Sequence, residues 1–123
     1  MENKIKTFKE LIVWQKSIRL VIEAYKLTDK FPKEEIYGLT SQIRRAAVAV
    51  PSNIAEGWAR YHTKEFIQFI GIAYGSCAEL DTQLEISKAL KYISEVEYLS
   101  VLDKIVEIEK MLSGLSNKLN VSN

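Results

Sequence analysis

The chain has 123 residues, a length that fits a single domain over residues 1–123 and is too short for two ordinary domains. Its one cysteine excludes an internal disulfide framework and fits a reducing compartment. No apolar run approaches the ~18 residues of a membrane span, and the first residues lack a signal-type apolar core, so we expect a cytoplasmic location.

Charge is unevenly distributed along the chain, although the net charge is only +1. Residues 1–64 hold 12 Lys/Arg against 7 Asp/Glu, a balance of +5, whereas residues 65–123 hold 5 against 9, a balance of −4. This asymmetry indicates either an anionic partner for the first half or attraction between the two halves.

Helical periodicity dominates the sequence, and runs of alternating apolar and polar residues are missing, so an all-α class is predicted. A first helix is predicted over about residues 10–28. Phe31-Pro32 separates it from the next, because the residue before a proline is pushed out of α geometry and proline favours the first helical turn.

The second helix is predicted over about residues 32–61. Its core face is formed by Ile36, Leu39, Ile43, Ala47, Val50, Ile54 and Trp58. Pro51 removes one backbone hydrogen bond, which predicts a kink in this helix.

The third helix is predicted over about residues 64–90, with Thr63 as its N-cap. Gly71 and Gly75 lie opposite its core stripe, and close approach of another helix is expected to compensate for their low helix propensity.

A capping box of Ser94 and Glu97 opens a fourth helix over about residues 95–119, with a leucine repeat that includes Leu99. Four helices joined by short connections predict an antiparallel up-down-up-down four-helix bundle, with the second helix kinked at its proline.

Three stretches carry a family resemblance: FKELIVWQKS near the start, YGLTSQIRRAAVAVPSNIAEGWAR in the centre, and EFIQFIGIAYGSCAELDTQLEIS after it. They resemble the four-helix-bundle family of 23S ribosomal-RNA intervening-sequence proteins. They are also similar to the accessory protein of diversity-generating retroelements. The resemblance implies a bundle that assembles into a ring-like homopentamer. The retroelement relatives associate with a reverse transcriptase and with nucleic acid through a basic ring surface. The near-neutral charge of this chain departs from that pattern.

The candidate nucleic-acid-binding residues are Arg44, Arg45, Arg60 and Lys64, because Arg and Lys bind phosphates without sequence choice. The alternative is ion pairing within or between subunits, with Glu56 or Glu79 as the acid.

The polar stripe of the second helix could line a site, but a helix–helix or subunit seam is favoured, and the two glycines of the third helix are expected to bury against a neighbouring subunit. The candidate interface residues are Gln42, Ala49, Asn53, Glu56, Gly71, Gly75 and Glu79. Polar groups buried there need hydrogen-bond partners across the seam.

No catalytic, metal or cofactor site is predicted. The single histidine, His62, and the single cysteine, Cys77, are too few for a zinc or di-iron centre, and Gly-rich phosphate loops and serine-nucleophile motifs are missing. The leading hypothesis is therefore a non-enzymatic, ring-forming homo-oligomer without a small-molecule substrate. The alternative is weak, sequence-tolerant binding of RNA or DNA, as an accessory to a reverse transcriptase.

Overall fold

The computed structural model describes residues 4–122. It contains four α-helices, α1 (Ile12–Thr28), α2 (Leu39–Ala59), α3 (Thr63–Ala89) and α4 (Glu95–Ser122). Short 3₁₀ turns at Phe8–Glu10 and Lys33–Glu35 precede α1 and α2. There is no strand within this part of the chain, so the predicted all-α class is confirmed.

Each helix packs against two others. Helix α2 lies against α1 and α3, and α4 lies against the same two helices, whereas in the described chain no Cα atom of α2 lies within 8 Å of one of α4. This closed set of neighbours is compatible with a four-helix bundle. The up-down-up-down order and the kink at Pro51 stay predictions.

All four helices contribute large side chains to one core. Fully buried members include Leu20, Ile43, Ile54, Leu80, Leu84, Ile105 and Leu112. Burying a side chain of this size stabilises the fold by about 1.5–3 kcal/mol. The core face predicted for the second helix is confirmed at Leu39, Ile43, Ala47, Val50 and Ile54, whereas Trp58 is only half-buried and Ile36 is exposed.

Helix α2 begins seven residues later than predicted, and the core position of Ile36 is wrong, since half of that residue is exposed. Pro32 starts a 3₁₀ turn instead of an α-helix. The Glu35 carboxylate then accepts a 2.9 Å hydrogen bond from the backbone N–H of Leu39. A side-chain acceptor at this place caps the first turn of α2 and fixes its start.

The N-cap of α3 also differs from the prediction. His62, not Thr63, is the N-cap, with an extended backbone and no side-chain hydrogen bond, and Thr63 is the first helical residue. The capping box of α4 is confirmed. The Ser94 N–H donates to Glu97 at 2.8 Å, and the Glu97 N–H donates to the Ser94 hydroxyl at 3.1 Å.

Two non-glycine residues have a left-handed backbone, and both lie in turns between helices. Tyr61 follows α2 with φ 66°, and Lys91 follows α3 with φ 67°. The Lys91 N–H donates to the carbonyl of Lys88, and the Tyr92 N–H donates to that of Ser87, each at 2.9 Å. This pair of bonds is a Schellman motif, in which glycine usually takes the place of Lys91.

No helix within residues 4–122 has both the length and the apolar character needed to span a membrane. The cytoplasmic location stays a prediction.

Candidate functional site

Arg44 is held by three groups of α1. Its Nη2 lies 3.0 Å from Asp29 Oδ1, and its Nε donates to the Thr28 hydroxyl at 2.9 Å. The guanidinium also lies 4.5 Å from the centre of the Tyr25 ring. Cations near a helix C-terminus are favourable, so Arg44 fastens α2 to the end of α1.

Arg45, the next residue, is exposed and makes no hydrogen bond or ion pair within the described chain. It lies at the edge of an open groove of about 500 Å³ between α1 and α2. The groove is lined by Tyr25, Ile36, Thr40, Ser41, Arg44, Arg45, Val48 and Ala49. We call it the α1–α2 groove.

Arg60 and Lys64 lie far from this groove. Arg60 is 15 residues beyond Arg45, or about 22 Å along a helix axis. It pairs with Glu56 at 2.9 Å and lies 5.0 Å from the centre of the Phe69 ring. Lys64 is exposed at the start of α3, with no partner among the described residues. The four predicted nucleic-acid residues are therefore divided between two regions of one chain.

Polar groups predicted to bond across a seam have partners inside α2. The Asn53 amide donates to the Ala49 carbonyl at 2.8 Å, and Glu56 is engaged by Arg60. Gln42 is exposed. These residues lie on the surface of α2, and whether a second copy covers them stays a prediction.

The outer face of α3 carries exposed isoleucines and glycines and is open in the single chain. We use the name α3 outer face for Gly71, Ile72, Gly75, Glu79 and Ile86. Both isoleucines are exposed, and a Cβ added at either glycine would meet nothing within 4 Å. No other helix of the chain therefore makes the close approach expected at these glycines.

Glu79 has no cationic partner in the described chain. It accepts only a long hydrogen bond of 3.4 Å from the Gln83 side chain. Gln83 is 6% exposed, and its Oε1 has no hydrogen-bond partner.

Tyr98 forms a polar junction between α3 and α4 that the sequence reading missed. Its hydroxyl lies 2.7 Å from Asp81 Oδ1 and 2.9 Å from Glu85 Oε2. Lys88 pairs with Glu85 at 3.2 Å and with Glu95 at 3.0 Å. Hydrogen bonds from Tyr98 and Lys88 lower the pKa of Glu85, whereas burial raises the pKa of the Tyr98 phenol. Leu99, a member of the predicted leucine repeat, is 48% exposed, and its neighbour Tyr98 is the buried residue at this turn of α4.

The described side chains offer little for chemistry. Within residues 4–122, no three His, Cys, Asp or Glu side chains are grouped to hold a metal ion. Cys77 is fully buried, and burial raises the pKa of its thiol to about 12. A thiol in this state is a core side chain and not a nucleophile at neutral pH.

The fold has a solved counterpart. A crystal structure of a protein of unknown function from the S23 ribosomal protein family of Bacteroides thetaiotaomicron matches with a TM-score of 0.77 and 24% sequence identity. The match covers 85% of this chain and 98% of that chain, and at this identity it supports the fold alone. A search of curated proteins found no match.

The family suggested by the sequence is confirmed by a second comparison. The family model described as 23S rRNA-intervening sequence protein matches residues 9–114, which include α1, α2, α3 and most of α4. A match over this much of the chain shows membership. The chain belongs to the family of 23S rRNA-intervening sequence proteins.

Proposed function

We propose that this protein is a non-enzymatic module that assembles with copies of itself into a ring. The observation that carries the proposal is the α3 outer face, where two glycines and two exposed isoleucines lie uncovered in the single chain. Exposed isoleucines beside glycines offer a surface on which a second helix can pack closely. The ring shape and the number of five subunits rest on the family resemblance.

Hydroxyl and thiol groups of the chain support a non-catalytic reading. Ser17 and Ser87 donate to backbone carbonyls inside their own helices, and Cys77 is buried. His62 has no side-chain partner in the described chain. A nucleophile, a base and an oxyanion donor do not come together among these groups.

Sedimentation velocity at micromolar concentration tests the proposal. We expect a species several times heavier than the 14.1 kDa chain. Gly75→Arg places a charged side chain on the α3 outer face, where the single chain has room for it, and should shift the mass towards that of one chain. Gly114→Arg is the matched control, because a Cβ at Gly114 also meets nothing within 4 Å. A wild-type protein that sediments as one chain throughout would overturn the proposal.

A second candidate is weak binding of RNA or DNA by a basic surface of the assembly. It is favoured by the turn between α2 and α3, where Arg60, His62 and Lys64 flank the 85% exposed Tyr61. Exposed aromatic rings beside cations offer stacking and phosphate contacts. Arg45 would add a separate phosphate contact, distant from this turn on the same helix. An accessory role beside a reverse transcriptase rests on the resemblance alone.

The second candidate predicts salt-sensitive affinity with little sequence preference. Fluorescence anisotropy with a labelled single-stranded RNA at 50 and 200 mM salt measures it. Lys64→Ala with Arg60→Ala should weaken binding in the same proportion for different RNA sequences. Equal binding by the double variant and the wild-type protein would contradict this candidate.

A further inference from the structure

Most of the charge asymmetry of the chain is not neutralised inside it. Residues 1–64 carry a balance of +5 and residues 65–123 a balance of −4. Within the described residues, only two ion pairs join these halves, Lys16 with Glu107 and Lys30 with Glu97. The remaining positive charge of the first half and negative charge of the second half are available to a neighbouring molecule. In two copies of this chain, the basic half of one could therefore attract the acidic half of the other.

The basic half presents its unpaired charge beside apolar side chains. Arg45 stands at the edge of the α1–α2 groove without a partner in the described chain, next to the exposed side chains of Tyr25, Ile36 and Val48. Arg44 is committed to Asp29 and Thr28, so Arg45 is the arginine of this groove that remains available.

The acidic half presents the complementary arrangement on α4. Val96 is 76% exposed, and Leu99 and Asp103 are exposed as well. Their spacing of three and four residues places them on one face of the helix. Asp103 makes no ion pair or hydrogen bond in the described chain. We call these three residues the α4 strip.

The groove and the strip cannot satisfy each other within one molecule. No Cα atom of α2 lies within 8 Å of one of α4, and Arg45 and Asp103 have no partner within the described chain. A carboxylate on the outside of α4 therefore meets Arg45 only when it belongs to another copy.

We infer that the α4 strip of one copy docks in the α1–α2 groove of the next, with Asp103 on Arg45 and the two aliphatic side chains against Tyr25, Ile36 and Val48. The inference rests on the proposed self-assembly and adds to the α3 outer face a second contact between neighbouring copies. The contact joins two different surfaces, so it is head-to-tail, the kind of contact that can close into a ring.

Charge reversal tests the pairing by sedimentation velocity, with thermal unfolding to verify that each variant is folded. Arg45→Glu and Asp103→Lys should each weaken self-association by about tenfold or more, because each places like charges together. The double variant Arg45→Glu with Asp103→Lys should recover it. An equimolar mixture of the two single variants should recover association in part, because unlike variants form matched contacts with each other, although a five-membered ring of two variants keeps at least one mismatched contact. A pairing inside one molecule cannot explain such recovery. Lys6→Glu is the control for Arg45→Glu, since it makes the same change of charge outside both surfaces.

The outcomes separate this inference from the proposed function. If the wild-type protein assembles and the single variants assemble equally well, the pairing is overturned and self-assembly stands. Weakening by the single variants without recovery in the double variant or the mixture also overturns the pairing. If Arg45→Glu lowers affinity for RNA and leaves the mass unchanged, Arg45 serves the second candidate and the inference is wrong. A wild-type protein that stays a single chain overturns both.

Discussion

The hydroxyl of Tyr92 donates a 2.9 Å hydrogen bond to Glu35, which lies 57 residues earlier in the chain. The bond joins the turn before α2 to the turn before α4. The ring of Tyr92 also packs against Phe31, with 5.2 Å between ring centres. One glutamate thus caps α2 through one carboxylate oxygen and holds a distant turn through the other.

Replacing Glu35 by Gln should make the stability of the protein depend less steeply on pH below neutrality. The bonds from the Leu39 N–H and the Tyr92 hydroxyl lower the pKa of Glu35. A carboxyl whose pKa is lowered on folding stabilises the protein above the ordinary glutamate pKa of about 4.3, and this stabilisation is lost as the pH falls through the folded value.

The measurement is the urea midpoint of unfolding between pH 7 and pH 3. The wild-type midpoint should fall more steeply than that of the variant. Glu85 and Glu97 also have lowered pKa values, so part of the slope will remain. Glu34→Gln is the control, because Glu34 makes no hydrogen bond or ion pair in the described chain. A Glu35→Gln profile parallel to the wild type would contradict the assignment.

Gly57→Ala should lower the free energy of unfolding by about 1–3 kcal/mol, the range seen for overpacked cores. A Cβ at this position would lie 2.5 Å from the Cβ of Phe69, an atom that cannot move without α3. Gly114→Ala faces open space and should instead raise stability by up to about 1 kcal/mol. Chemical denaturation of the two variants gives both values, and an unchanged Gly57→Ala would show that α2 and α3 are less closely packed than described.

Lys91→Gly should raise the free energy of unfolding by about 1 kcal/mol. Lys91 has φ 67°, a conformation that costs a residue with a Cβ about 1–2 kcal/mol and that glycine adopts freely. Lys91→Ala removes the same charge and keeps the backbone cost, so thermal unfolding should show a gain for glycine and none for alanine. Equal gains from both variants would assign the effect to charge.

Gln83→Met should leave the fold intact and raise its free energy of unfolding by about 1 kcal/mol. The amide oxygen is buried without a hydrogen-bond partner, and an unsatisfied buried acceptor costs about 1–3 kcal/mol. The bond given up, from the amide nitrogen to Glu79, is long at 3.4 Å. Gln42→Met on the exposed face of α2 should change little. A marked loss of stability for Gln83→Met, measured by urea denaturation, would contradict this account.

Helix number, helix type and most of the core follow from the sequence because they depend on local periodicity. Ile43, Ile54 and Leu80 recur at helical spacing among polar neighbours, and they are fully buried. The pattern failed at Ile36, because proline is compatible both with the first turn of an α-helix and with a separate 3₁₀ turn. The separate 3₁₀ turn is stabilised by Glu35, whose side chain caps α2 and also accepts a hydrogen bond from Tyr92.

The candidate site was less accessible to sequence reasoning. A pair four residues apart, such as Glu56 and Arg60, can be read from helix geometry. The engagement of Arg44 with Asp29 depends on how α1 docks against α2, as does the groove beside Arg45. Side chains from two different helices form the Arg44 contact and the groove. The distance between such side chains cannot be read from a single sequence.

The hydroxyl of Tyr98 has two possible hydrogen-bond acceptors. Tyr98 is 5% exposed, and its single hydroxyl hydrogen faces two carboxylate oxygens, those of Asp81 and Glu85. The hydroxyl hydrogen bonds to one acceptor at a time, so the second carboxylate can accept it when the first is missing. If either Asp81 or Glu85 is replaced, the phenol still has one acceptor. Only the loss of both leaves its hydroxyl without a hydrogen bond. The hydrogen bond of the Tyr98 phenol is therefore redundant, and it survives a single substitution of either Asp81 or Glu85.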